Sequence, residues 1–150
     1  MRKMSLDVGT RTIGIAVSDL LGMIANGVET IHRTTEERDY ARIAELIAEH
    51  EVDTLVVGYP KNMNGTIGER AQACEAMAEK LRTMFPKVQV VLWDERLSTV
   101  AAEKVLVDAD LRRKKRKKVI DMMAAVVILQ NYLAVSYTHL RAHETSLHLV

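Results

Sequence analysis

Met4-Ser5-Leu6-Asp7-Val8-Gly9-Thr10-Arg11-Thr12-Ile13-Gly14-Ile15-Ala16-Val17 is the stretch that decides the fold. Two short apolar runs, 4–6 and 13–17, flank a connection that contains Gly9, and the second run is rich in β-branched residues. That pattern predicts two strands of a hairpin. A third strand is expected over 23–31, where Gly22 and Gly27 permit a turn or a bulge. An acid, Asp7, stands where the first strand runs out.

Downstream the period changes. Thr34-Thr35-Glu36-Glu37 reads as a capping box, and Tyr40, Ile43, Ala44, Ile47 and Ala48 follow at helical spacing. Thr54-Leu55-Val56-Val57 has the continuous apolar character of a strand buried on both faces. A turn-rich loop starts at Gly58, and Thr66 with Glu69 predicts a second capped helix running to about Met84, where Pro86 ends it. A last strand over 88–92 follows, then a short helix from Ser98 or Thr99 to about Asp108 and a long apolar helix over 118–133. Crossovers through the middle helices make the later strands parallel to the first. The expected fold is therefore α/β, a mixed five-stranded sheet flanked by helices, in a single domain.

The chain has 150 residues, 48% of them hydrophobic, which is enough for one packed core and excludes disorder. One cysteine, Cys74, excludes a disulfide framework. The longest apolar runs are too short to span a membrane, and Asp7 interrupts any signal-peptide core, so a soluble cytoplasmic domain is expected. With 21 Lys+Arg against 20 Asp+Glu the formal net charge is +1, yet Arg112-Arg113-Lys114-Lys115-Arg116-Lys117-Lys118 is an unbroken basic run. Seven cations at the start of a helix oppose the macrodipole, which suggests an anionic partner such as a nucleic-acid backbone. A solvated basic face is the plainer alternative.

The segment 135–145, Val-Ser-Tyr-Thr-His-Leu-Arg-Ala-His-Glu-Thr, resembles the translation in one frame of a transposase-type sequencing adapter. The reading therefore sets a domain of 1–134 apart from a non-native tail of 135–150. His139, His143 and His148 fall in that tail, so the helical spacing of His139 and His143 is not taken as a metal pair. His32 and His50 read as surface residues.

In an open α/β sheet, parallel strands deliver their C-terminal ends to one edge, where ligands bind. Asp7 ends the first strand and Glu95, beside Asp94, ends the last, so both are expected at that edge. Asp121 lies on a helical face with Ala124, Ala125 and Ile128, where an unpaired buried carboxylate is costly. A salt bridge to Arg96 or a Lys of the basic run would satisfy it. So would a divalent cation shared with Asp7 and Glu95, and three carboxylates suit a hard ion, Mg²⁺ or Mn²⁺. Lys61, Asn62 and Asn64 leave a strand at the same edge, where they would contact phosphate or bases, or form an ordinary connection. Aromatic residues are only 4% of the chain, too few for a platform that stacks splayed bases.

Four blocks of sequence resemble the YqgF family of ribonuclease H-like proteins. They are residues 6–19, residues 56–65, Trp93-Asp94-Glu95-Arg96-Leu97-Ser98-Thr99, and residues 114–121 with Ala124-Ala125 and Ile128-Leu129. Tyr59 departs from the aliphatic residue expected there. The resemblance implies a ribonuclease H-like fold in a bacterial cytoplasmic protein. It implies a metal-dependent nuclease of the kind assigned to 5′-end maturation of pre-16S ribosomal RNA, and earlier to Holliday junction resolution. Its acidic positions fall on Asp7, Glu95 and Asp121, with Asp94 an alternative to Glu95. Nucleic-acid contacts are expected from Arg11, Lys61, Asn62, Arg96, Arg113, Lys114, Lys115, Arg116, Lys117 and Lys118. The partner would be structured RNA, as precursor rRNA or a ribosomal particle, or branched DNA. Two other readings are a nucleotide-binding phosphotransferase, since Asp-Val-Gly-Thr is similar to the phosphate loop of the sugar-kinase fold, and a non-catalytic ribosome-assembly factor. The first needs two such domains; the second relies on the basic run alone.

Overall fold

The computed structural model describes residues 1–61, 65–95 and 122–136. The expected hairpin is present as β1 (Arg2–Val8) and β2 (Thr12–Ser18), paired antiparallel with Asp7 opposite Gly14. The Gly9 amide closes the turn on the Thr12 carbonyl at 2.8 Å. Strand β3 (Ala25–His32) follows a turn at Gly22, whose φ of 70° suits a residue without a Cβ. The register of β2 with β3 steps from Ile15↔Glu29 to Ala16↔Gly27, so the expected bulge lies at Gly27 and Val28.

Helix α1 (Glu36–Glu49) leads into β4 (Val52–Tyr59), and α2 (Glu69–Met84) leads into β5 (Gln89–Asp94). Both later strands run parallel to β1, in the spatial order β3-β2-β1-β4-β5. The mixed five-stranded sheet is as expected. The helix caps differ in detail. Thr35 alone caps α1, accepting from the Arg38 amide at 3.3 Å, so no reciprocal Glu completes a box. The N-cap of α2 is Gly68 rather than Thr66, with no side-chain cap bond, because the loop stays extended two residues longer.

The helices sort onto two faces. Met4, Leu6 and Val8 of β1, with Leu55, Val57 and Tyr59 of β4, form one core with α1 and α2. Helix α3 (122–136) lies on the other face, where Ala125, Ile128, Leu129 and Leu133 pack with Ala16, Ala25 and Val56. Ala125 is fully buried while Ala124 is exposed, so only part of the expected apolar face meets the sheet. The helix continues through Val135 and Ser136, two residues past the expected domain end. The expected short helix over 98–108, the start of the long helix at 118–121 and the tail histidines lie outside the described residues. Among the described residues no helix is long and apolar enough to cross a membrane.

One buried hydrogen bond ties the layers beside Asp7. The Ser5 hydroxyl, fully buried, donates to the Ala125 carbonyl at 2.6 Å. Replacing it by Ala removes that donor but leaves the carbonyl in its helix. Ser5→Ala is expected to lower unfolding free energy by about 1 kcal/mol, measured by urea denaturation.

Candidate functional site

Alternation along β1 sets the site. Leu6 and Val8 point into the α1/α2 core, so Asp7 shares the α3 face with Ser5, at the end of the strand. In β4 the same parity turns Val56 and Gly58 toward α3. Gly58 pairs with Trp93, and Glu95, two residues on from Trp93, immediately follows β5. The Glu95 carboxylate then folds back over the bare backbone of Gly58. A Cβ built there would lie 2.7 Å from Glu95 Oε1 and 2.6 Å from Ile128 Cδ1. Gly58 is thus the floor on which the carboxylate rests, a role its reading as a turn residue did not suggest.

The two expected acids are therefore brought together at the C-terminal edge of the parallel strands. Burial raises the Asp7 pKa above its usual 3.8, partly offset by Arg70. Glu95 is raised above 4.5, first by burial and next by the charge of Asp7. Each carboxylate is held where its charged form is disfavoured, an arrangement typical of functional sites. Asp94 pairs in register with Tyr59, on the opposite parity from Trp93, and its charge is felt by both Tyr59 and Glu95. Asp121 lies outside the described residues, and among the described residues no three His, Cys, Asp or Glu side chains form a metal-holding group.

The cation facing the pair is Arg70, in the first turn of α2. Its Nη2 donates to Asp7 Oδ1 at 3.3 Å and its Nε to the Val8 carbonyl at 3.4 Å. The sequence reading missed Arg70. The signal was available, because a cation in the first turn of a helix opposes the macrodipole and wants an anion nearby. Arg33 holds the adjacent β1–β2 turn, donating from Nη1 to the Gly9 carbonyl at 2.8 Å and from Nε to the buried Asp39 at 3.1 Å. Arg11 sits in that turn, and its carbonyl accepts from the Arg33 amide at 2.8 Å.

Lys61 follows β4 at the same edge, its ammonium 5.4 Å from the centre of the Tyr59 ring. Tyr59, the departure from the family pattern, donates its phenol to Glu75 of α2, which helps push its pKa up to about 12. It serves as core and loop anchor rather than as an acid or base. Cys74, one helical turn after Arg70, is buried and its thiol is pushed up to about 11, so it is not a nucleophile. Asn62, Asn64, Arg96 and the basic run 112–118 lie outside the described residues.

A five-stranded sheet of this order, with an acidic pair at the edge where its parallel strands end, defines a ribonuclease H-like protein. Its likeness to Thermus thermophilus RuvC bound to a Holliday junction substrate has a TM-score of 0.62 at 12% identity. That match covers 91% of this chain and 96% of the other, and at such identity it speaks for the fold alone. Residues 1–135 match the family described as "RuvX: Holliday junction resolvase", and the chain belongs to it. A Geobacillus kaustophilus relative named "Putative pre-16S rRNA nuclease" is 61% identical over 135 residues, 89% of this chain and 97% of the relative. A Bacillus cytotoxicus relative of the same name is 57% identical over 136 residues, 89% of this chain and 98% of the relative. The family resemblance drawn from the four blocks thus holds.

Proposed function

We propose that the chain is a divalent-cation-dependent endonuclease that hydrolyses phosphodiester bonds in 5′-end maturation of pre-16S ribosomal RNA, in the cytoplasm. The observation that carries this reading is the carboxylate pair, Asp7 and Glu95, close enough for the charge of one to act on the other, with Glu95 resting over Gly58 at the sheet edge where α/β proteins bind ligands. The names of relatives at 57–61% identity supply the substrate.

The donors fit a hard ion. Both are carboxylates, both are partly desolvated, and among the described residues the guanidinium of Arg70 faces their two charges. Asp7 and Glu95 would hold Mg²⁺ or Mn²⁺, with Asp121 the third ligand implied by the family resemblance and Asp94 the alternative to Glu95. Bound there, such an ion supplies an activated water and charge stabilisation at the leaving oxygen. Arg11 and Lys61, at the same edge, would bind and orient the phosphate backbone. Asn62, Arg96, Arg113, Lys114, Lys115, Arg116, Lys117 and Lys118 would extend that contact along the substrate, as point charges and amides that do not depend on base identity. Residues 1–134 would form the nuclease domain and 135–150 a dispensable tail. A chain ended at Ser136 is expected to keep full activity.

The family description and the RuvC-like fold favour a second substrate, branched DNA, for the same carboxylates. The chain is to be incubated with precursor ribosomal RNA and with a four-way DNA junction, each with Mg²⁺, Mn²⁺ or a chelator. Cleavage of the RNA alone, lost with chelator, is the expected result. Cleavage of the junction alone would move the substrate to DNA. Binding without cleavage under every condition would overturn the nuclease and leave an assembly factor.

A further inference from the structure

Two arginines, Arg33 and Arg42, are locked into place. Arg33 is fixed by Asp39, whose side chain is only 3% exposed, and by the Gly9 carbonyl. Arg42 grips Glu29 through two nitrogens at 2.6 and 3.0 Å. Arg70 is different. Its contact to Asp7 is 3.3 Å, long for a charge-assisted bond, and its side chain is 54% exposed. Its other contact among the described residues is to the Val8 backbone carbonyl at 3.4 Å. It is held loosely, at the rim of the site, on the first turn of a 16-residue helix whose dipole repels it.

Charge balance gives that looseness a purpose. Among the described residues Asp7, Glu95 and Asp94 carry more negative charge than Arg70 offsets, so the pair attracts a cation. A divalent ion bound by the pair would repel the guanidinium beside Asp7, and a backbone phosphate brought to the edge offers that guanidinium another anion. We propose that Arg70 is a charge-exchange residue, neutralising Asp7 while the carboxylates hold no metal and transferring its guanidinium to a backbone phosphate of the nucleic acid once they do. The guanidinium fork suits both partners, since it matches carboxylate and phosphate alike. The Val8 carbonyl marks a resting point from which the long arm swings out over the edge.

This inference rests on the reading of Asp7 and Glu95 as cation ligands, and its test separates the two. Wild type, Arg70→Gln, Arg70→Lys and Asp7→Asn are compared as full chains in two measurements. One is Mn²⁺ affinity by titration calorimetry without nucleic acid. The other is binding of a labelled RNA stem-loop in Ca²⁺. Arg70→Gln is expected to tighten Mn²⁺ about three- to tenfold, because a competing positive charge is gone. It is expected to weaken RNA binding by a similar factor, and both effects shrink at high salt. Arg70→Lys should keep the wild-type Mn²⁺ affinity within about twofold while losing part of the RNA affinity, as a point charge replaces a fork. Opposite movement of the two affinities is what a merely structural arginine would not produce. Unchanged Mn²⁺ affinity in Arg70→Gln, with Asp7→Asn weakening it, would overturn the exchange and leave the cation site standing. Unchanged Mn²⁺ affinity in Asp7→Asn would overturn both.

Discussion

Asp7→Asn is expected to abolish cleavage, by about three orders of magnitude or more, while making the metal-free protein more stable. The two effects share one cause. Burial raises the Asp7 pKa despite the opposing pull of Arg70, so the folded state binds the Asp7 proton more tightly than the unfolded chain does. Below the ordinary value of 3.8 the group is protonated in both states and contributes nothing. As pH rises through the window between 3.8 and the raised folded value, the unfolded chain ionises first and folding is penalised. Above that window the penalty is complete. Asn is the neutral isostere of the protonated acid and escapes it.

Replacing Asp7 also relieves Glu95, whose pKa its charge helps to raise. The expected result at neutral pH is a higher melting temperature than that of the unsubstituted chain. That difference should vanish as the melt is repeated toward pH 3. RNA binding should be retained or slightly strengthened, because one negative charge is gone from the edge. Thermal melts in chelator across pH, set beside cleavage rates, check all three. A variant that loses cleavage and also melts lower would mean that Asp7 is structural, held by Arg70 for the sake of the fold. A gain in stability with loss of function is the behaviour of a site whose strain serves its chemistry.

Much of this was legible in the sequence for a simple reason. Periodicity reports which face is buried, and in this chain each strand is marked by an uninterrupted apolar run or a turn residue at its end. The hairpin of β1 and β2, the bulge near Gly27, the buried β4 and the break at Pro86 all follow from local rules. So does the convergence of Asp7 and Glu95, because strand ends and crossover geometry together dictate the edge. The caps were less legible. Thr34, Thr35 and Thr66 offer hydroxyls at several offsets, and tertiary anchoring decides among them. Asp39, for instance, reaches back to the Thr34 amide and Arg33, which sets where α1 begins. Arg70 and Gly58 were missed because their roles are pairwise and long-range. Nothing near Arg70 in sequence reveals Asp7, 63 residues away, and a glycine after a strand is indistinguishable from a turn until the carboxylate above it is seen.

Gly58→Ala is expected to cost about a hundredfold or more in cleavage with little loss of stability. The new methyl would sit 2.6 Å from Ile128 Cδ1 and 2.7 Å from Glu95 Oε1, closer than any real contact. Both obstructing atoms are the far ends of flexible side chains, so the backbone of β4 need not move. Ile128 is packed among Ala125, Leu129 and Val56 and has little room to turn. Glu95 lies at the open edge, only partly buried, and is the group that yields. Its carboxylate is then displaced by the order of an ångström from Asp7, and misplacement of that size in a reacting site is worth about 10²-fold. Overpacking here costs roughly 1–2 kcal/mol, and the reduced freedom of the unfolded chain returns about half of it.

Ile128→Val separates the two clashes. It removes Cδ1 but leaves Glu95 obstructed, so Gly58→Ala with Ile128→Val should regain stability and not activity. Cleavage assays and denaturant melts on the single and double variants read the difference. Recovery of activity in the double variant would place the damage in the α3 core. Full activity in Gly58→Ala alone would show that the position of the Glu95 carboxylate does not matter to the reaction. The site would then have to be built from Asp7 and Asp94.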